Sequence, residues 1–81
     1  MVALLNLTGE QIRSARVLLG LGVWRLAQKS SLAVSTIERI ERGQALTAYQ
    51  NVRLKRALET AGVEFTNGDQ PGVRLGRKAD P

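Results

Sequence analysis

The sequence predicts a small, mainly α-helical domain of four helices followed by a short β-hairpin. Apolar residues recur at helical spacing in four segments before residue 62, and a glycine follows the first, third and fourth of these segments. After residue 62, two short stretches instead alternate apolar and polar residues on either side of the turn-rich segment TNGDQPG. With 81 residues, of which 43% are hydrophobic and 23% charged, the chain has the size and composition of one globular domain.

The first helix is predicted to begin at Thr8 and to end near Gly20. Thr8 and Gln11 have the spacing of a capping box, and Glu10 places negative charge in the first turn, where the helix dipole favours it. Four residues recur at the spacing of one helix face and are expected to point inward, namely Ile12, Ala15, Arg16 and Leu19.

Three further helices are predicted over residues 23–30, 34–42 and 48–61. Ser30-Ser31 forms the turn between the second and third helices, and Gly43 ends the third. The residues expected to point inward are Leu26 and Ala27 in the second helix, Ile37 and Ile40 in the third, and Leu58 with either Val52 or Leu54 in the fourth.

The segment after residue 62 is predicted to form an antiparallel hairpin. Its register pairs Val63 with Leu75, Glu64 with Arg74, and Phe65 with Val73, which puts four apolar side chains on one face and an opposite-charge pair on the other. A lone hairpin is marginal in water, so this one is expected to dock on the helices or to add to another sheet. The chain is thus divided into a helical domain (1–62), a hairpin for packing or dimerisation (63–76) and a flexible tail (77–81).

Composition excludes most enzyme classes. The chain has no Cys and no His, which removes disulfides, thiolate chemistry, the usual zinc sites and every nucleophile–histidine pair. Lys29 beside Ser30 and Ser31 lacks an orienting third group, so we expect no catalysis, no cofactor and no metal. Because the chain also lacks the long apolar run of a spanning helix and the pattern of a signal peptide, a cytoplasmic location without a membrane partner is expected.

The charge balance favours a polyanionic partner. Twelve Lys and Arg residues stand against seven Asp and Glu, which gives a net charge of +5. Such an excess attracts nucleic acid or an acidic membrane surface, and it also promotes solubility without any partner. Two short helices joined by a tight turn inside a basic domain of this size suggest a helix-turn-helix.

The stretch LLGLGVWRLAQKSSLAVSTIERIERGQ, residues 18–44, resembles the helix-turn-helix of the lambdoid phage repressor and Cro class, the xenobiotic-response-element (XRE) family. The similarity covers residues 8–62, and its most specific part is the run Ile37-Glu38-Arg39-Ile40-Glu41-Arg42-Gly43. The later segments AGVEF and PGVRL also look like those of short bacterial members. The resemblance implies a lambda-repressor-like fold and a transcriptional regulator that binds double-stranded DNA, with its third helix in the major groove.

The resemblance also implies which residues meet DNA. Base contacts are expected from five residues on and before the third helix: Ala33, Val34, Ser35, Glu38 and Arg39. Arg39 can present a bidentate fork to guanine, whereas Glu38 either accepts from cytosine or only orients Arg39 or Arg42. Phosphate contacts are expected from Arg25, Lys29, Thr36, Arg42, Gly43 and Gln44, which position the protein without specifying sequence. An unpaired Arg16 on an inward face would be costly, and in this family the matching arginine pairs with the residue at position 41, so an Arg16–Glu41 bridge is expected.

Four positions depart from the family pattern. Gly22 and Val23 replace the usual polar N-cap and Gln of the second helix, and Ser31 replaces the turn glycine. Ala33 replaces the hydroxyl residue that caps the third helix, a loss that costs about 1 kcal/mol. These changes predict lower stability or narrower binding on the same fold.

A homodimer on a two-fold operator is expected, since one recognition helix reads too few base pairs to find a site alone. The hairpin is the predicted dimer contact, because Arg53, Lys55 and Arg56 on the fourth helix would repel a symmetry mate. No small-molecule ligand is expected. The alternative function is a protein–protein module on the same scaffold, an antitoxin or an antagonist of another regulator, that binds through the exposed hairpin.

Overall fold

The structure, a computed structural model, describes residues 6–67 and 71–76, which form four helices and one two-stranded sheet. The elements, in chain order, are α1 (Gly9–Leu18), α2 (Val23–Ser30), α3 (Val34–Glu41), α4 (Ala48–Ala61), β1 (Val63–Asn67) and β2 (Pro71–Leu75). The mainly helical class with a C-terminal hairpin is therefore as predicted, and the predicted tail, 77–81, lies outside the described residues. Within those residues, no helix has the length and apolar character needed to cross a membrane.

Both of the longer helices begin with a capping box. The Thr8 hydroxyl accepts from the Gln11 N–H at 3.1 Å, and the Gln11 side-chain oxygen accepts from the Thr8 N–H at 3.0 Å, as predicted. Thr47 and Gln50 make the same pair of bonds at the start of α4. That second box was missed, although its T-x-x-Q spacing stands in the sequence.

The core is aliphatic and lies where the four helices meet. Its largest fully buried side chains are Ile12, Leu26, Ile37, Ile40, Leu54 and Leu58, together with the Ser30 side chain. In α4 the inward residue is Leu54, whereas Val52 is 60% exposed, so the choice between them is resolved. Of the other residues expected to point inward, Ala15 is buried, whereas Arg16, Leu19 and Ala27 are half-buried. The predicted third helix ends one residue early, at Glu41, and Gly43 follows with a φ of 122°, a conformation that glycine adopts easily.

The hairpin packs on the helices of its own chain. Its strands pair in the predicted register, with Val63 opposite Leu75 and Phe65 opposite Val73. Val63 is only 2% exposed and belongs to the helical core, and Phe65 and Val73 pack against that core. Leu75, the fourth apolar side chain of this face, is 60% exposed, because the helical core covers the other three but not this one.

Gln11 joins the hairpin to α1. Its side-chain nitrogen donates to the Gly72 carbonyl oxygen at 3.0 Å, while its side-chain oxygen completes the capping box. A buried amide needs partners for both of its ends, and here it has them. Through this bond the hairpin is joined to the start of α1.

Candidate nucleic-acid interface

α2 and α3 are two eight-residue helices joined by a three-residue turn, 31–33. Ser31 has a φ of 61°, the left-handed conformation that glycine normally supplies, and the Leu32 N–H donates to the Ala27 carbonyl oxygen at 3.2 Å. The half-buried Leu32 then packs against the core. The turn is thus fixed by a closing hydrogen bond and by an apolar anchor.

The first turns of α2 and α3 have no side-chain cap. Gly22 precedes α2 and Ala33 precedes α3. Neither residue has a side-chain atom that can accept a hydrogen bond from the helix, as the departures from the family pattern predicted. Both residues are exposed, and a Cβ atom at Gly22 would meet nothing within 4 Å. The first backbone N–H groups of both helices therefore lack a side-chain acceptor.

The outer face of α3 carries the predicted base contacts. Ile37 and Ile40 are buried, which turns Ser35, Glu38 and Arg39 outward. Ala33 is also exposed, and Val34 is half-buried. All five residues therefore belong to one helix and its N-terminal flank, and four of them are exposed.

The predicted phosphate contacts lie on α2, on α3 and directly after α3. Arg42, Gly43 and Gln44 are exposed and follow directly on α3, and Thr36 is half-buried on α3 itself. Arg25 and Lys29 are exposed on α2. Lys29 lies beside side chains of α4, so it is the least closely associated with α3. The surface of α2 and α3 has four exposed cations, at residues 25, 29, 39 and 42, against one exposed acid, Glu38.

Glu38 forms no ion pair among the described residues. The ion pairs among residues 6–67 and 71–76 are Arg16–Glu41 and Glu64–Arg74, so Glu38 pairs with neither Arg39 nor Arg42. It lines a shallow groove with Arg42 of the α3 C-cap and Arg13 of α1. Arg13 was missed as a member of this surface, because no motif around it signals the tertiary contact between α1 and α3.

The Arg16–Glu41 bridge is present, as predicted. Its two bonds are parallel and each 2.9 Å long, from Arg16 Nε to one carboxylate oxygen and from Nη2 to the other. Nη1 also donates to the Leu21 carbonyl oxygen at 3.3 Å. The hydrogen bonds to Glu41 raise the pKa of Arg16 above its ordinary value, against the opposing effect of burial. The pair ties α1 to the last turn of α3 and so fixes the orientation of the candidate interface.

The arrangement offers binding chemistry. Among the described residues, no cluster of three acidic side chains could hold a metal ion. The arginine guanidinium groups, the Ser35 hydroxyl and the free helix N–H groups are hydrogen-bond donors that suit bases and phosphates.

In comparisons with known proteins, the chain matches no protein-family model and no curated protein.

Proposed function

We propose that this chain is a sequence-specific DNA-binding transcriptional regulator of the helix-turn-helix class, with the lambda-repressor-like arrangement of helices. In this proposal α3 lies in the major groove of duplex DNA, which is wide enough to admit one helix. Ala33, Val34, Ser35, Glu38 and Arg39 meet base edges. The chain has the small size and basic charge of such proteins, and it would act on DNA in the cytoplasm.

The observation that carries the proposal is the accessible polar face of α3 next to a short, fixed turn. Ser35, Arg39 and Arg42 recur at the spacing of one helix face, and all three are exposed. The helix is held by the bidentate Arg16–Glu41 ion pair and by a turn that the Leu32 N–H closes onto the Ala27 carbonyl oxygen. Such support suits a helix that has to fit a groove.

We further propose that the protein acts as a homodimer. A two-fold axis would place two copies of α3 about 34–36 Å apart, one turn of duplex DNA. In the described part of the chain the sheet has two strands, so β1 and β2 each have one edge without a partner strand. Leu75, at the end of β2, is exposed. The other apolar residues of the hairpin are occupied by the chain's own core, which also weakens the alternative of a protein-binding hairpin.

Selection of bound duplexes from a random pool tests this function. We expect a short motif repeated with two-fold symmetry, and binding that weakens steeply as salt rises, because displaced counterions drive it. Arg39→Ala should alter the selected motif at one position. Arg56→Ala removes the same charge from an exposed site on α4 and should leave the motif unchanged. A pool that shows no enrichment at low salt would refute the proposal.

A further inference from the structure

A second surface, separate from the face of α3, lies between α2 and α4. The α2–α4 groove is lined by Lys29 and by six residues of α4, Tyr49, Val52, Arg53, Arg56, Ala57 and Thr60. Tyr49 and Val52 are 62% and 60% exposed although they are large apolar residues. The proposed DNA contacts, apart from Lys29, do not line this groove.

The groove is held in shape by Arg53. Its Nε donates to the Ser30 carbonyl oxygen at 3.0 Å, at the last residue of α2. Its guanidinium carbon lies 5.5 Å from the centroid of the Tyr49 ring, within the range of a cation–π contact. Arg53 thus joins the two helices and supports the exposed ring, so a ligand would meet a preformed site at a low entropic cost.

The charge of the groove indicates its occupant. Lys29, Arg53 and Arg56 are cationic, and the lining contains no Asp or Glu. We propose that the groove binds an acidic amphipathic segment of a partner protein, with an apolar side chain over Tyr49 and Val52 and carboxylates beside Lys29 and Arg56. Such pairing combines burial of apolar surface with electrostatic complementarity.

Two other occupants fit less well. A second copy packed through α4 would set Arg53, Lys55 and Arg56 against their own symmetry mates, and like charges across an interface are unfavourable. A duplex backbone would satisfy the cations but offers no apolar group to cover Val52. An acidic amphipathic segment satisfies both features, and it goes beyond the proposed DNA binding, which uses α3.

The probe is a short helical peptide with Leu and Phe on one face and Glu on the flanks, titrated into the isotope-labelled full chain. Two control peptides replace Glu by Lys, or Leu and Phe by Ser. Only the first peptide should bind, with NMR shifts centred on Tyr49, Val52 and Arg56, and its binding should weaken with salt. Equal binding of the Ser peptide would overturn the proposal, as would shifts centred on α3 or on the hairpin.

Variants separate this site from the DNA site. Arg56→Glu and Val52→Ser should each weaken binding of the acidic peptide by about tenfold. Arg13→Glu, an equal charge reversal at an exposed position of α1, should leave this binding unchanged. Val52 is exposed, so Val52→Ser should fold normally and keep its duplex affinity. If duplex DNA, or a second copy of the chain, shifts Tyr49 and Val52 more than the peptide does, the proposed occupant is wrong. Arg39→Ala should weaken duplex binding and keep the affinity for the acidic peptide.

Discussion

The backbone of Gly9 lies directly against the carbonyl oxygen of Ile40, so that a Cβ atom at position 9 would overlap this oxygen. Gly9 is the first residue of α1, and Ile40 lies in the last turn of α3. The start of α1 thus rests on the backbone of the helix that carries the proposed base contacts. This contact requires a residue without a side chain, because any other would push the two helices apart.

Gly9→Ala should therefore destabilise the fold. The added methyl group meets backbone, which cannot rotate away, and overpacking of this kind costs about 1–3 kcal/mol. Ser14→Ala, at an exposed position of the same helix, should change the free energy of unfolding by no more than about 0.5 kcal/mol. Urea denaturation measures both. Equal midpoints for Gly9→Ala and the wild type would show that the two helices are not in close contact.

The Arg16–Glu41 pair should show strong coupling. Arg16→Met leaves the Glu41 carboxylate, only 11% exposed, without its partner, and Glu41→Leu does the same to Arg16. Breaking a buried pair costs about 3–5 kcal/mol, and since Arg16 is 21% exposed we expect about 2–4 kcal/mol for each variant. The double variant should be more stable than the sum of the single losses predicts. Strict additivity in denaturant unfolding would mean that the bridge contributes nothing.

Local patterns account for what the sequence predicted well. The capping box at Thr8, the boundaries of α2 and the register of Val63 with Leu75 depend on residues close in the chain or on strict alternation, and all are confirmed. The Arg16–Glu41 bridge joins distant residues, and it was predicted only through the family resemblance.

What the sequence missed depends on distant contacts. Nothing local marks Gly9 as a contact point for Ile40, because the glycine looks like an ordinary first residue of a helix. Gln11 was predicted as half of a capping box, but its other amide end meets Gly72, 61 residues further on. The bond from Arg53 to the Ser30 carbonyl, which shapes the α2–α4 groove, depends equally on how two helices pack. The five base-contact residues remain predictions about DNA.

Ser31→Gly should stabilise the domain. The left-handed backbone at position 31 costs a residue with a Cβ about 1–2 kcal/mol, and glycine removes that cost while it adds roughly 0.5–1 kcal/mol of backbone entropy. The expected net gain is therefore up to about 1.5 kcal/mol in thermal or urea unfolding. Ser14→Gly, the same change within α1, should instead destabilise by about 0.5 kcal/mol. A loss at both positions would contradict the conformation of the turn.

Arg39 and Arg42 should affect DNA binding in different ways. Arg39→Ala should cost about 1–3 kcal/mol on the preferred duplex and remove discrimination at one G·C pair, if the guanidinium reads guanine. Arg42→Ala should weaken binding to all duplexes alike. It should also reduce the slope of log affinity against log salt concentration by about one unit. Titration of a matched and a single-mismatch duplex at several salt concentrations separates the two effects. An unchanged base preference in the Arg39→Ala variant would show that Arg39 does not contact bases in the major groove.

The proposed dimer contact can be tested without disturbing the core. Removing the whole hairpin would also remove Val63, which is 2% exposed and belongs to the core, so truncation would destabilise the fold as well as remove the dimer contact. Leu75→Asp changes only an apolar side chain that is 60% exposed. It should weaken dimerisation by roughly 2–4 kcal/mol, because full burial of a leucine is worth about 1.5–3 kcal/mol, both subunits lose one, and only the 60% that is exposed in the monomer remains to be buried.

Val52→Asp is the matched control, since Val52 has the same 60% exposure but lies on α4. Sedimentation should show a monomer for Leu75→Asp and a dimer for Val52→Asp at the same concentration, with both chains folded. Leu75→Asp should also bind a two-fold duplex more weakly while it keeps its affinity for a single half-site, because each recognition helix is intact. If Val52→Asp instead separates the subunits, the dimer forms through α4, the charges on that helix are neutralised in the assembly, and the exposed edge of the hairpin has another role.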